Sequence, residues 1–191
     1  KIKVGHAGTL DPLATGLLIL CVGKMTKNIY KFQELEKEYF GCMKLGSSTP
    51  SYDLETEIDR VYCYKHLTKE MIYQKTKNFT GKILQSPPIY SALKKNGVRL
   101  YEKARKGEKI KIEPRKVEVF KFEINKIELP NVYFNITCSK GTYIRSIAND
   151  FGKSLNSGAH LTELCRRRIG SYNLNNAINI NTVKNIELIN Q

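Results

Sequence analysis

The chain has no apolar run near the roughly 20 residues that would cross a bilayer, and its opening Lys1-Ile2-Lys3-Val4 lacks the build of a signal peptide. The expectation is a soluble intracellular protein with no membrane partner, in the cytoplasm or an organelle. Cysteine is sparse and unpatterned: Cys21, Cys42, Cys63, Cys138 and Cys165 are odd in number, form no Cys-x-x-Cys, and fall mostly in apolar, strand-like runs. They read as reduced core residues. His6, His66 and His160 are far apart, so no metal site is expected. Nucleotide-binding and hydrolytic motifs are missing too. The chain holds no Gly-x-Gly-x-x-Gly and no His-Glu-x-x-His, and between Gly16 and Lys24 the gap is too long for a phosphate loop, with Met25 where Ser or Thr should bind magnesium. Ser91-Ala92-Leu93-Lys94 fits the Ser-x-x-Lys of serine acyl enzymes but has neither companion element.

Acidic residues are also scarce. Against 32 Lys and Arg stand 18 Asp and Glu, a net charge of +14 that favours a polyanionic partner. Half of the excess lies in residues 94–116, where ten Lys or Arg, among them Lys94, Lys95, Arg99, Lys103, Arg105 and Lys106, face three glutamates. With Tyr90 and Tyr101 interleaved, the segment reads as an RNA-binding surface; a solvated lysine face is the plain alternative. At 191 residues and 41% hydrophobic, the chain suffices for one core with an inserted lobe.

The stretch most suggestive of chemistry is Gly5-His6-Ala7-Gly8-Thr9-Leu10-Asp11-Pro12-Leu13-Ala14-Thr15-Gly16-Leu17-Leu18. Its glycines permit a tight loop that brings Asp11 to the edge of a core strand. Asp-Pro is equally a helix start, Asp capping and Pro opening the first turn, and the spacing does not choose between them.

Along the chain, Gly16–Val22 reads as a strand, 25–35 as a short amphipathic helix, 38–45 as a strand, 46–51 as a turn and 57–64 as a second strand. Thr68 caps a helix running to about Phe79. Pro87-Pro88 force an extended path, Asn96-Gly97 turn, and Leu100–Lys106 form a basic helix within a lobe spanning about 85–114. Strands follow over 116–129 and 131–138, the second with Val132, Phe134, Ile136 and Cys138 on one face. Ile144, Ile147, Ala148, Phe151 and Leu155 then share one face of a helix. Arg145 falls in its first turn, where the helix dipole disfavours a cation, which suggests a specific anionic partner. A last strand opens at Cys165-Arg166-Arg167-Arg168 and ends near Leu174, and Thr182 could cap a terminal helix. The sum is an α+β fold with a largely antiparallel mixed sheet flanked by helices.

Gly5–Leu18 resembles the signature loop of the TruB-type tRNA pseudouridine synthases. The resemblance continues in Lys37-Glu38-Tyr39, in Leu45-Gly46 with Thr49 and Asp53, in Pro87–Lys94, in Leu100-Tyr101-Glu102, in Cys138–Arg145 and in Gly158-Ala159-His160. It implies a pseudouridine synthase fold and one catalytic domain over 1–191, with the basic lobe as an RNA clamp. The family's preceding strand and its C-terminal PUA domain are expected to fall outside this chain. It also implies Asp11 as the catalytic aspartate, His6 holding the RNA loop as the uridine flips, Tyr39 stacking on the base, Tyr143 lining the pocket, Arg145 pairing with Asp11, and Leu164 as an apolar wall. The implied reaction is isomerisation of the T-loop uridine of tRNA (uridine-55) by a monomer, with no cofactor or metal. Two other readings stand beside it: a guide-RNA-dependent synthase, and a non-catalytic RNA-binding or folding module. Departures fall at Pro50-Ser51 and Asn156-Ser157, where the family usually has Asp-Thr and Gly-Cys.

Overall fold

The computed structural model of the chain describes residues 2–91, 93–95, 97–105 and 112–183. In chain order the elements are β1 (Val4–His6), β2 (Thr15–Gly16), β3 (Leu20–Val22), α1 (Ile29–Glu34), β4 (Lys37–Leu45), β5 (Ser47–Ser48), β6 (Arg60–Val61), α2 (Lys69–Lys75), β7 (Gly81–Gln85), β8 (Lys94–Lys95), β9 (Val98–Arg99), α3 (Leu100–Arg105), β10 (Arg115–Glu128), β11 (Asn131–Cys138), α4 (Ile144–Ser154), β12 (Ala159–Ile169), β13 (Tyr172–Asn173) and α5 (Ile180–Val183). The main sheet runs β13-β12-β4-β11-β10-β7, antiparallel throughout, with β2 added parallel to β12. This is the α+β, largely antiparallel mixed sheet expected from the sequence.

The alternation of β11 explains why one sheet face carries the core. Val132, Phe134, Ile136 and Cys138 are buried, and across the ladder Phe134 pairs with Gly41 and Ile136 with Tyr39. Helix α4 closes that face with Ile144, Ile147, Ala148, Phe151 and Leu155, while α2 adds Ile72. Phe151 stands at the centre of the packing, its ring 5.5 Å from Phe79 and 5.4 Å from Phe122. Thr68 caps α2 through the amide of Met71, as its position before the apolar face requires.

Several sequence expectations are corrected. The run Gly16–Val22 is two short strands rather than one. After pairing with β12, the Leu17 amide donates to the Arg166 carbonyl at 2.8 Å and the chain turns away, so that Leu20–Val22 pairs with β1 instead. The strand expected over 57–64 shrinks to Arg60–Val61 against Ser47–Ser48, inside the segment read as a turn. The last strand begins at Ala159, not Cys165, and folds back at Gly170 (φ 53°) into β13, because it pairs along the whole length of β4. At the C-terminal end Asn179, not Thr182, accepts from the backbone where α5 begins. Three of the five cysteines are buried as expected, whereas Cys63 is exposed and Cys165 half-buried. No helix among the described residues is long and apolar enough to cross a membrane.

Candidate active site

Asp11 does not begin a helix. The Ala14 amide donates to the Asp11 carbonyl at 3.0 Å, closing a turn that leaves the Asp11 carboxylate at the mouth of a cleft of about 430 Å³. That volume lies within the range of small-molecule sites. The loop is pinned at its far end by Gly16, whose φ of +106° and close approach to β12 exclude a side chain: an added Cβ would stand 2.3 Å from the Arg166 carbonyl oxygen.

Arg145 reaches Asp11 from the first turn of α4. Its Nη2 donates to Asp11 Oδ1 at 2.6 Å, a charge-assisted bond with the guanidinium 3% and the carboxylate 26% exposed. Nη1 donates to the Ser51 carbonyl at 3.2 Å and the Tyr90 carbonyl at 2.9 Å. Nε lies 3.7 Å from buried Asp53 Oδ2, too far for a hydrogen bond but close enough for charge attraction. The cation that the helix dipole disfavours is thus held by two carboxylates and two carbonyls.

Tyr39 comes from β4, Tyr143 from the residue preceding α4, and Leu164 from β12; all three line the cleft with Asp11 and Arg145. Burial pushes the Tyr39 phenol up to about 12 and raises that of Tyr143, so both hydroxyls stay protonated at neutral pH. His6 does not line the cleft. It is exposed at the end of β1, on the ribbon that leads into the Asp11 loop. Lys94, Lys95, Arg99, Lys103 and Arg105 lie on β8, β9 and α3, a hairpin and helix joined to the cleft through Leu93, which lines it. Lys106 lies outside the described residues.

Three further groups escaped the reading of residue types. The side-chain amide of Gln85 pairs with the backbone of Tyr143 in both directions, Nε2 donating to its carbonyl at 3.0 Å and Oε1 accepting from its amide at 2.7 Å. Lys37 is buried, which lowers its pKa, and Nζ donates to the Gln33 and Leu35 carbonyls, both at 2.6 Å, at the C-terminal end of α1. Arg166, 2% exposed, lines the cleft beside Tyr39. Its signal was weak but present: on a strand, Arg166 shares a face with Leu164. Together with Lys140 these residues give the cleft an excess of positive charge. Among the described residues, no group of three His, Cys, Asp or Glu is placed to hold a metal ion.

The fold is that of the pseudouridine synthases, whose solved structures it resembles. A Cbf5–Nop10–Gar1 complex shares the fold with a TM-score of 0.66 and 30% identity over 90% of this chain and 41% of that one. An H/ACA RNP bound to a substrate RNA containing 2′-deoxyuridine gives a TM-score of 0.63 and 27% identity, over 90% of this chain and 40% of the other. The chain spans about two fifths of those solved chains. Within that class the family is specific: the model described as TruB family pseudouridylate synthase (N terminal domain) matches residues 1–144, and the chain belongs to this family. A tRNA pseudouridine synthase B of Flavobacterium johnsoniae is 58% identical over 180 residues, 94% of this chain and 79% of that protein. One of Phocaeicola vulgatus is 48% identical over 94% of this chain and 77% of its own length.

Proposed function

We propose that the protein is a tRNA pseudouridine synthase that isomerises the T-loop uridine at position 55, with Asp11 as nucleophile. The observation that carries this reading is the bond from Arg145 Nη2 to Asp11 Oδ1 at the mouth of a cleft walled by Tyr39, Tyr143 and Leu164. It holds the carboxylate aimed at a group entering the cleft. A uridine inside an RNA fold must leave its stack to reach that carboxylate, and the two tyrosine rings and Leu164 offer apolar walls for the extruded base. Asp11 attacks the nucleoside, the N1–C1′ bond breaks, the base rotates, C5 bonds to C1′, and the bond to Asp11 breaks to free its carboxylate. The proton lost from C5 and the one gained at N1 balance, so the net change is isomerisation. The Tyr39 phenol beside the base is protonated at rest, so it takes up the C5 proton only after giving its own proton to the base, as phenolate.

His6, on the ribbon preceding the loop, holds the displaced RNA. The segment 85–114 is an inserted clamp within one catalytic domain, its basic residues meeting backbone phosphates of the T-arm. The enzyme acts as a monomer, inside the cell where tRNA is found. Identity of 48–58% to the first relatives named for tRNA, against 26–30% to the Cbf5 chains, favours action without a guide RNA.

Incubating the protein alone with an unmodified tRNA transcript and mapping pseudouridine tests the proposal. Product at position 55 with wild type and none with Asp11→Asn is expected. Conversion only after a guide RNA is added would replace this reading with the guide-dependent one, and tight binding without conversion would leave a non-catalytic RNA-binding module.

A further inference from the structure

Arg166 is a buried cation, 2% exposed. Among the described residues no carboxylate pairs with it, and its side chain is held by neutral acceptors alone. Nε donates to the Leu17 carbonyl at 2.8 Å and Nη2 to the Gly8 carbonyl at 3.0 Å, and the side chain lines the cleft together with Tyr39. Burying a guanidinium is unfavourable unless its donors are filled, and an apolar side chain would pack this position at less electrostatic cost. The geometry of what it touches gives the reason for its presence. Gly8 and Leu17 are the two ends of the loop whose middle carries Asp11, and Tyr39 stands on the neighbouring strand β4, its residue paired directly with Arg166 across the sheet. One planar fork therefore closes the loop on the strand position that faces Tyr39.

We infer that Arg166 is a positioning residue that couples Tyr39 to the Asp11 loop, so that nucleophile and phenol are presented to the flipped base in one fixed geometry. It acts through Tyr39 and the loop and does not itself touch the reacting atoms. The backbone at the same residue joins in: the Arg166 carbonyl accepts from the Leu17 amide at 2.8 Å, and Gly16 lies directly against it. Arg145 orients the Asp11 carboxylate from the opposite side. The carboxylate is thus fixed from one side and its supporting loop from the other. A lysine at position 166 would keep the charge and lose the fork, since a single ammonium cannot reach both carbonyls in the directions that Nε and Nη2 serve.

The inference rests on the proposed roles of Asp11 and Tyr39, and its test separates the two. Arg166→Lys, Tyr39→Phe and the double variant are compared with wild type in single-turnover pseudouridine formation at saturating tRNA transcript. Thermal melting checks that each is folded, filter binding measures RNA affinity, and amide hydrogen exchange is followed across residues 8–17. Arg166→Lys is expected to slow turnover by about tenfold or more while RNA affinity changes by less than about threefold. The double variant should be slower than either single variant but by less than the product of their effects, because only the part of the Arg166 effect that runs through Tyr39 is already lost. Exchange protection should fall in residues 8–17 and stay unchanged in β10 and β11. Single effects that multiply, an Arg166→Lys turnover equal to wild type, or unchanged protection over 8–17 would each overturn the inference. A Tyr39→Phe variant with full turnover would overturn it as well, since no phenol would then need positioning. If wild type converts no tRNA, the proposed function fails, and the exchange experiment still decides whether Arg166 tethers the loop.

Discussion

Arg145 sits where helix electrostatics disfavour it, and its partners explain why it is tolerated. Asp11 and Asp53 supply the negative charge, and the Ser51 and Tyr90 carbonyls accept from Nη1, while Nε is left with charge attraction to Asp53 alone. Removing the whole side chain would strand the buried Asp53 carboxylate, at a stability loss of about 3–5 kcal/mol. Arg145→Lys is therefore the sharper probe: the charge stays and the forked geometry goes. Turnover should drop by at least about tenfold while RNA affinity stays within about twofold, read by single-turnover kinetics beside filter binding. Equal turnover would remove Arg145 from its role. At this scale the sequence was informative about residue types. Asp11, Tyr39, Tyr143, Arg145 and Leu164 were all singled out, and the structure brings all five to one cleft. His6 stands outside that cleft. Arg166 gave only a weak signal because a buried arginine in a run of three looks, by composition, like exposed Arg167 beside it.

The joint between α4 and β12 is the element on which the cleft depends, since α4 presents Arg145 and β12 presents Leu164 and Arg166. The packing there is close: a Cβ added at Gly152 would meet the Ala159 amide nitrogen at 2.2 Å and the Gly158 carbonyl carbon at 2.3 Å. Helix propensity alone favours Gly152→Ala by about 1 kcal/mol. Packing reverses the sign, because the neighbours are backbone and must shift. Gly152→Ala should lower unfolding stability by about 1–3 kcal/mol in urea titration; an increase would show that the joint can relax. Elements with strict alternation or helical spacing, β11 and α4, were legible from the sequence almost to their ends. β2, β6 and β13 were not, because two-residue pairings leave no period to read and are set by the strand they happen to meet.

For the whole molecule, two properties follow from charge and burial together. His160 is buried between Ser47 and β4, and burial lowers its pKa, so it is neutral in the fold. Above the ordinary histidine value of about 6.5, folded and unfolded states both hold it uncharged and stability is independent of this group. As pH falls below that value, the unfolded chain takes up a proton that the folded chain does not, and stability falls. Urea unfolding between about pH 7.5 and 5 should show that slope, and it should flatten in His160→Gln; an equal slope in the variant would assign it to other groups. The net charge of +14 governs the encounter with RNA. Replacing Lys94, Lys95 and Lys103 by glutamine should weaken tRNA binding and make the dependence of log K on log salt shallower, by about one unit for each phosphate that the lobe no longer neutralises. An unchanged salt slope would make the lobe a solvated lysine face.

Residue order alone was enough for the α+β character, the buried face of β11, the amphipathic α4, and the family loop around Asp11. Those features are local: a period of two or 3.6, a cap, a glycine that must turn. Whether Asp11-Pro12 capped a helix or presented a carboxylate was not local, and residue spacing left it open. The assembled fold settles it by bringing Arg145, 134 positions away, to within 2.6 Å of Asp11, and by seating Arg166 against both ends of the same loop. Pairing a buried cation depends on which strands and helices meet, and that is a property of the assembled sheet rather than of any stretch of chain.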